Sequence, residues 1–134
     1  MKNQDKLNGE KIVLEPLRPR FSVCKVSDYS DIDLSQPFYF TGKTDEENSL
    51  VCPEEFAPAH MTARDDGWKG FRIIGQLDFS LIGILARISE VLASNGIGIF
   101  AISTFNTDYI LTKEENYEKA LKTLESVGYE IKKG

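Results

Sequence analysis

The chain has a single histidine, His60, in 134 residues, so it cannot build a multi-histidine metal site from its own side chains. Its two cysteines, Cys24 and Cys52, lie far apart and form no CxxC. In a cytosolic protein such cysteines read as small buried hydrophobes rather than metal ligands, a disulfide or a nucleophile. Basic residues are outnumbered, 16 Lys and Arg against 21 Asp and Glu, for a net charge of −5. That balance argues against nucleic acid and anionic membranes as partners, since both call for clustered Lys and Arg. No apolar run approaches the roughly 18–20 residues of a membrane span, and the opening MKNQDKLNGEK has no signal-peptide core. A cytoplasmic protein is therefore expected. GxxxxGKS/T, GxSxG, GxGxxG and HExxH are all missing, which argues against the commonest nucleotide, hydrolase and metalloprotease chemistries. No cofactor and no catalytic residue is expected.

What remains is ordinary globular material, 41% hydrophobic and 28% charged. The length suits one domain or two very small ones, burying roughly two-thirds of the extended surface.

The second half has the clearer pattern. Phe71–Leu77 (FRIIGQL) reads as a strand rich in aromatic and β-branched residues. Ser80 can cap a following helix. Leu81, Ile84, Leu85, Ile88, Val91 and Leu92 then recur at three- and four-residue steps, one apolar stripe ending near Asn95-Gly96. Ile97–Ser103 (IGIFAIS) reads as a second strand, apolar on both faces, Thr104–Thr107 as a turn, and Asp108–Thr112 as a third strand. Thr112 and Glu115 have capping-box spacing before a second helix with the stripe Tyr117, Ala120, Leu121, Leu124, Val127 and the stop Gly128. Tyr129–Lys132 is a last short strand. The order β-α-β-β-α-β is that of a ferredoxin-like unit: two helices on one face of an antiparallel sheet.

The first half repeats part of this. FYFTGKTDEENSLVCPEEF (Phe38–Phe56) lies against FAISTFNTDYILTKEENY (Phe100–Tyr117). Both run from an apolar strand to a turn at a threonine (Thr44, Thr107), an apolar triplet and a Glu-Glu pair. Pro53 takes the place of Lys113, where proline suits a first helical turn. Phe21–Val26 then matches Phe71–Leu77, while Ser27–Pro37 has room only for a turn or one short helical piece. The expected fold class is α+β, with two ferredoxin-like units, the first truncated: residues 10–65 and residues 66–134. Ala63–Lys69 reads either as a connector or as the last strand of the first unit.

Candidate functional residues follow from the joins between elements. A strand-to-helix join such as Gly75–Gly83 presents free backbone N–H groups and a positive dipole end to a carboxylate or phosphate. Gly83 there serves either the close approach of a ligand or tight helix–sheet packing. Asp108 opens a strand after a turn and is either a turn former or a receptor for a ligand cation. Thr104 and Asn106 add short polar groups. An anion site beside an aspartate suits a zwitterion. Trp68 reads as a core or interface anchor, and His60 as a surface or capping residue without a catalytic partner.

SLVCPEE, Gly67-Trp68 and LDFSLIGILARISEVLASNGIGIFAISTFNTDYIL together resemble the tandem ACT-domain proteins of bacteria, and the pattern is similar to the ACT domains of the eukaryotic arginine sensor CASTOR. The likeness spans Leu14 to Ile131. It implies a regulatory, non-enzymatic module that binds a free amino acid between paired ACT units. It also implies a homodimer, with room for an unidentified protein partner. Carried over by position, the ligand loop is Asp78, Leu81, Ile82, Gly83 and Ile84, faced by Thr104, Phe105 and Asp108. In the arginine sensor an acidic side chain helps select the guanidinium; Leu81 stands there in this chain and implies an apolar or smaller ligand side chain. An acylphosphatase-like hydrolase on the same fold needs an arginine in Leu77–Gly83, and none is present.

Overall fold

The computed structural model of the chain describes residues 6–7, 10–74 and 83–133. In chain order the strands are β1 (Lys6–Leu7), β2 (Glu10–Lys11), β3 (Val13–Pro16), β4 (Phe21–Val26), β5 (Phe40–Lys43) and β6 (Asn48–Pro53). A 3-10 turn over Glu54–Phe56 precedes β7 (Ala63–Ile73), then α1 (Ile84–Ser94), β8 (Phe100–Ser103), β9 (Asp108–Lys113), α2 (Glu114–Ser126) and β10 (Glu130–Ile131).

The chain divides into two compact units, Arg18–Trp68 and a second made of Met1–Leu17 with Lys69–Gly134. Where the sequence suggests one cut near residues 65 and 66, there are two, after Leu17 and after Trp68. Ala63–Lys69 is strand rather than connector.

In the unit that holds both helices, the sheet order is β10-β3-β7-β9-β8. Without β3 this is the ferredoxin-like order, the fourth strand beside the first. Instead β3 lies between them, antiparallel to β7 (Leu14 opposite Ile73) and parallel to β10 (Leu14 opposite Ile131). The cause is an alternating stretch at the chain start: Ile12 and Leu14 are buried, while Val13 and Glu15 are only half-buried. Their burial joins them to the core of Phe71, Ile73, Ile88, Leu92, Ile110 and Leu124. Backbone bonds hold the strand on both sides, Ile74 N–H to Val13 O at 2.9 Å and Glu130 N–H to Ile12 O at 3.0 Å.

The helices present the expected faces, Ile84, Ile88 and Leu92 from α1 and Tyr117, Ala120 and Leu124 from α2. Three local expectations change. The N-cap of α1 is Gly83, and Ser80 lies outside the described residues. The N-cap of α2 is Lys113 without a side-chain cap bond, because β9 runs through Lys113 and Thr112 is buried with its hydroxyl on the Lys113 carbonyl at 3.2 Å. Glu114 and Glu115 instead place negative charge in the first turn, where it suits the helix dipole. The strand after α1 starts only at Phe100, because the Ile97 N–H is taken by the Leu92 carbonyl at the helix end.

In Arg18–Trp68 the strand order is β7-β4-β6-β5, which is the ferredoxin-like order with both helices cut down. The second helix is reduced to the three-residue 3-10 turn, which starts from Pro53 as α2 starts from Lys113. The first is replaced by turns. Asp28 and Asp33 each accept the backbone N–H and hydroxyl of a serine two residues on, Ser30 and Ser35. Tyr29, Ile32 and Tyr39 from this stretch cover Cys24, Val26, Leu50 and Cys52. Both cysteines are free and buried.

The two hairpins are the same hairpin twice. Phe40 pairs Val51 and Lys43 pairs Asn48; sixty residues on, Phe100 pairs Leu111 and Ser103 pairs Asp108. The register matches Thr44 with Thr104, not with Thr107, and both N–H groups bond across the turn at 2.9 Å, to Glu47 and Thr107.

Candidate functional site

Gly83 sits at φ +90°, in the left-handed region where a side chain is strained. A Cβ there would also lie 3.0 Å from Arg87 Nη1. The glycine is thus required by the sharp entry into α1, a reason neither sequence reading supplies. Among the described residues no side-chain cap bond is made at this N-cap, and an intrahelical bond runs from Arg87 N–H to Gly83 O at 2.9 Å. The N–H groups before Arg87 have no partner within the helix by its geometry. Ile84 is buried in the core, so it offers this end its backbone and not its side chain. Asp78, Leu81 and Ile82 lie outside the described residues.

The other candidates fall in one hairpin. Thr104 Oγ1 donates to the Thr107 carbonyl at 2.8 Å, so this hydroxyl builds the turn. Phe105 is 74% exposed at the tip. Asp108 is half-buried and already accepts the Ser103 hydroxyl at 2.6 Å. Ser103 escapes sequence reading because its role comes from cross-strand pairing. A carboxylate has about four lone-pair positions, so Asp108 keeps room for an ammonium. Thr107 is buried and donates to the Ile73 carbonyl at 2.7 Å, tying the hairpin to the end of β7.

Alternation carries the residues between the core positions to the sheet face away from the helices. There Glu15 on β3 faces Arg72 on β7, with Nε to Oε1 at 2.9 Å. Arg72 Nη1 reaches Tyr109 Oη at 3.3 Å and its guanidinium lies 5.9 Å from the ring centre. Lys132, fixed by its own N–H on the Leu14 carbonyl, brings Nζ to 3.5 Å from Glu15 Oε2. With Asn106 and Ile74 these residues line an open cleft of about 430 Å³. The hydrogen bond from Arg72, then its charge and that of Lys132, hold the Glu15 carboxyl below its ordinary range. Nothing local in the sequence marks this cleft, since its members come from four strands and their flanks.

Among the described residues no group of three or more His, Cys, Asp or Glu is placed to hold a metal ion. None of the described helices is long and apolar enough to cross a membrane.

An ACT-domain family model matches residues 63–126. Protein Atu0741 from Agobacterium tumefaciens is similar at 29% identity and a TM-score of 0.81, with 92% of this chain and 94% of that one covered. VC0802 from Vibrio cholerae, described as a protein of unknown function and possible transport protein, is similar at 23% identity and 0.67, over 87% and 90%. The ligand-free regulatory subunit of aspartate kinase from Thermus thermophilus shares the fold at 12% identity and 0.59, over 85% and 95%. The chain therefore has the α+β, ferredoxin-like fold of ACT domains, with its ACT-domain match running from β7 through α2.

Proposed function

We propose that the chain is a small cytoplasmic regulatory protein, not an enzyme, that works as a homodimer and binds a free amino acid between paired ACT units. The ligand carboxylate docks on the backbone N–H groups at Gly83 and Ile84, and its ammonium on Asp108. The observation that carries this reading is the left-handed glycine entry into the 11-residue α1, whose N-cap residue has no side chain to cap it. A helix N-terminus attracts an anion, and Gly83 as N-cap has no side chain with which to fill it. The regulatory role of the Thermus thermophilus protein supports the same reading.

A panel of the common amino acids in a thermal-shift assay tests it. One of them stabilises the wild type as RT ln(1 + [L]/Kd), about 2.7 kcal/mol at a hundredfold excess over Kd. Asp108→Ala removes most of that shift. A panel without any response, or a response untouched by Asp108→Ala, overturns the site. The competing reading is a ligand-free module that docks another protein, favoured by Phe105, which stands 74% exposed at a hairpin tip. A silent panel together with dimerisation or partner binding that fails in Phe105→Ser selects that reading.

A further inference from the structure

We propose that Cys24 and Cys52 are a redox-active thiol pair: a hydroperoxide oxidises the Cys24 sulfur, and Cys52 then closes a disulfide with it. The pair lies within Arg18–Trp68 and does not depend on the amino-acid reading.

Far apart in sequence, the two cysteines meet in the fold. Across β4 and β6, Ser22 pairs with Cys52 and Cys24 with Leu50, so Ser22, Cys24 and Cys52 share one sheet face. Both thiols are free and buried, and they hydrogen-bond one another. Ser22 Oγ lies 3.2 Å from Cys24 Sγ and 2.7 Å from Asp66 Oδ1. A hydroxyl has one proton, and the bond to the carboxylate takes it. The Cys24 S–H therefore donates to Ser22. The chain Cys24–Ser22–Asp66 leads a proton from the buried sulfur to a carboxylate whose side chain is 47% exposed. Arg64 Nε holds that carboxylate in place at 2.7 Å. After the transfer, Ser22 carries the former Cys24 proton and donates it back to the sulfur, beside the Cys52 thiol. The hydrogen bond from Cys52, then that from Ser22 and the charge of Arg64, outweigh burial and hold the Cys24 thiol down at about 6. The bond it gives to Cys24, and then burial, push the Cys52 thiol up. The roles divide accordingly: the Cys24 thiolate attacks and the Cys52 thiol resolves. The cover over the pair is Tyr29, Ile32 and Tyr39 from turns rather than a helix, with Ala57 and Met61. Such a cover opens locally at low cost, and hydrogen peroxide is a small oxidant.

In the first step the Cys24 thiolate attacks one oxygen of hydrogen peroxide. The S–O bond forms, the O–O bond breaks, and the departing hydroxide takes up the proton released through Asp66 to become water. The Cys52 sulfur then attacks the Cys24 sulfur. The S–S bond forms, the S–OH bond breaks, and hydroxide leaves as water with the Cys52 proton. The two thiols lose two electrons in all, and one peroxide becomes two waters.

Intact mass and thiol alkylation on the whole chain test the proposal, with hydrogen peroxide as oxidant and dimedone as the trap for sulfenic acid. The wild type loses two hydrogens and both alkylatable thiols within one chain, and dithiothreitol restores them. Cys52→Ser stops at the sulfenic acid, trapped on Cys24. Cys24→Ser gives neither bridge nor trapped product at the same dose. Ser22→Ala reacts several-fold more slowly near neutral pH, and its rate rises at higher pH than that of the wild type. A purely structural hydroxyl would not move that profile, because the other titratable and charged groups facing the pair stay in place: Arg64 and Asp66 from β7, Tyr29 and Tyr39 from the turns. No bridge in the wild type at millimolar peroxide, a bridge only between two chains, or equal trapping in Cys24→Ser and Cys52→Ser overturns the proposal. An unshifted pH profile in Ser22→Ala overturns the proton path.

Discussion

At the scale of single residues, the side chains chosen for chemistry turn out to be busy with structure. Asp108 holds Ser103, and Thr104 closes its own turn. Gly83 answers a backbone demand, its φ of +90°. A strand-to-helix join is readable in sequence, but a left-handed φ is not, since any glycine is compatible with several conformations. Arg72 was invisible as a candidate for a different reason: its partners, Glu15 and Tyr109, stand 57 and 37 positions away. Burial also sets a testable titration. It pushes the Tyr117 and Tyr129 hydroxyls up to about 12. An unfolded tyrosine ionises near 10. The folded protein therefore binds more protons in that window, and the stability the two tyrosines contribute is complete below pH 10 and is lost as pH climbs toward 12. Phenolate absorbance should show Tyr117 and Tyr129 ionising well above pH 10, together with unfolding. Ionisation of these two near pH 10 contradicts this.

At the scale of elements, the helices were the most legible, because their apolar stripes depend on positions three and four apart in one stretch of chain. Of the expected stripes, Ile84, Ile88, Leu92, Tyr117, Ala120 and Leu124 are buried, Leu85, Val91 and Leu121 are partly buried, Val127 is 47% exposed, and Leu81 lies outside the described residues. The ends were less legible. Thr112 and Glu115 have the right spacing for a cap, but the strand claims Thr112. The strand β3 went unread because its four residues gain their place only by pairing with β7 and β10, far along the chain. Its importance can be measured. Leu14 is wholly buried, so Leu14→Ala should cost about 2–5 kcal/mol in denaturant unfolding. A loss within the roughly 0.5 kcal/mol typical of surface positions would mean that β3 is not part of the core.

At the scale of the whole molecule, the sequence suggested two like halves, the first shortened. The two hairpins do share one register at a spacing of sixty residues, and residues 18–68 carry turns and a 3-10 turn where the other unit has α1 and α2. What no local pattern announced is that the chain start belongs to the unit of the C-terminal half. The functional account rests on the same unit, at the head of α1 and the start of β9. Amide chemical shifts of isotope-labelled protein, followed while the stabilising amino acid is added, test it most directly. The account predicts saturable shifts centred on Gly83, Ile84 and Asp108, absent in Asp108→Ala. Saturable binding whose shifts leave those three amides unmoved would contradict it.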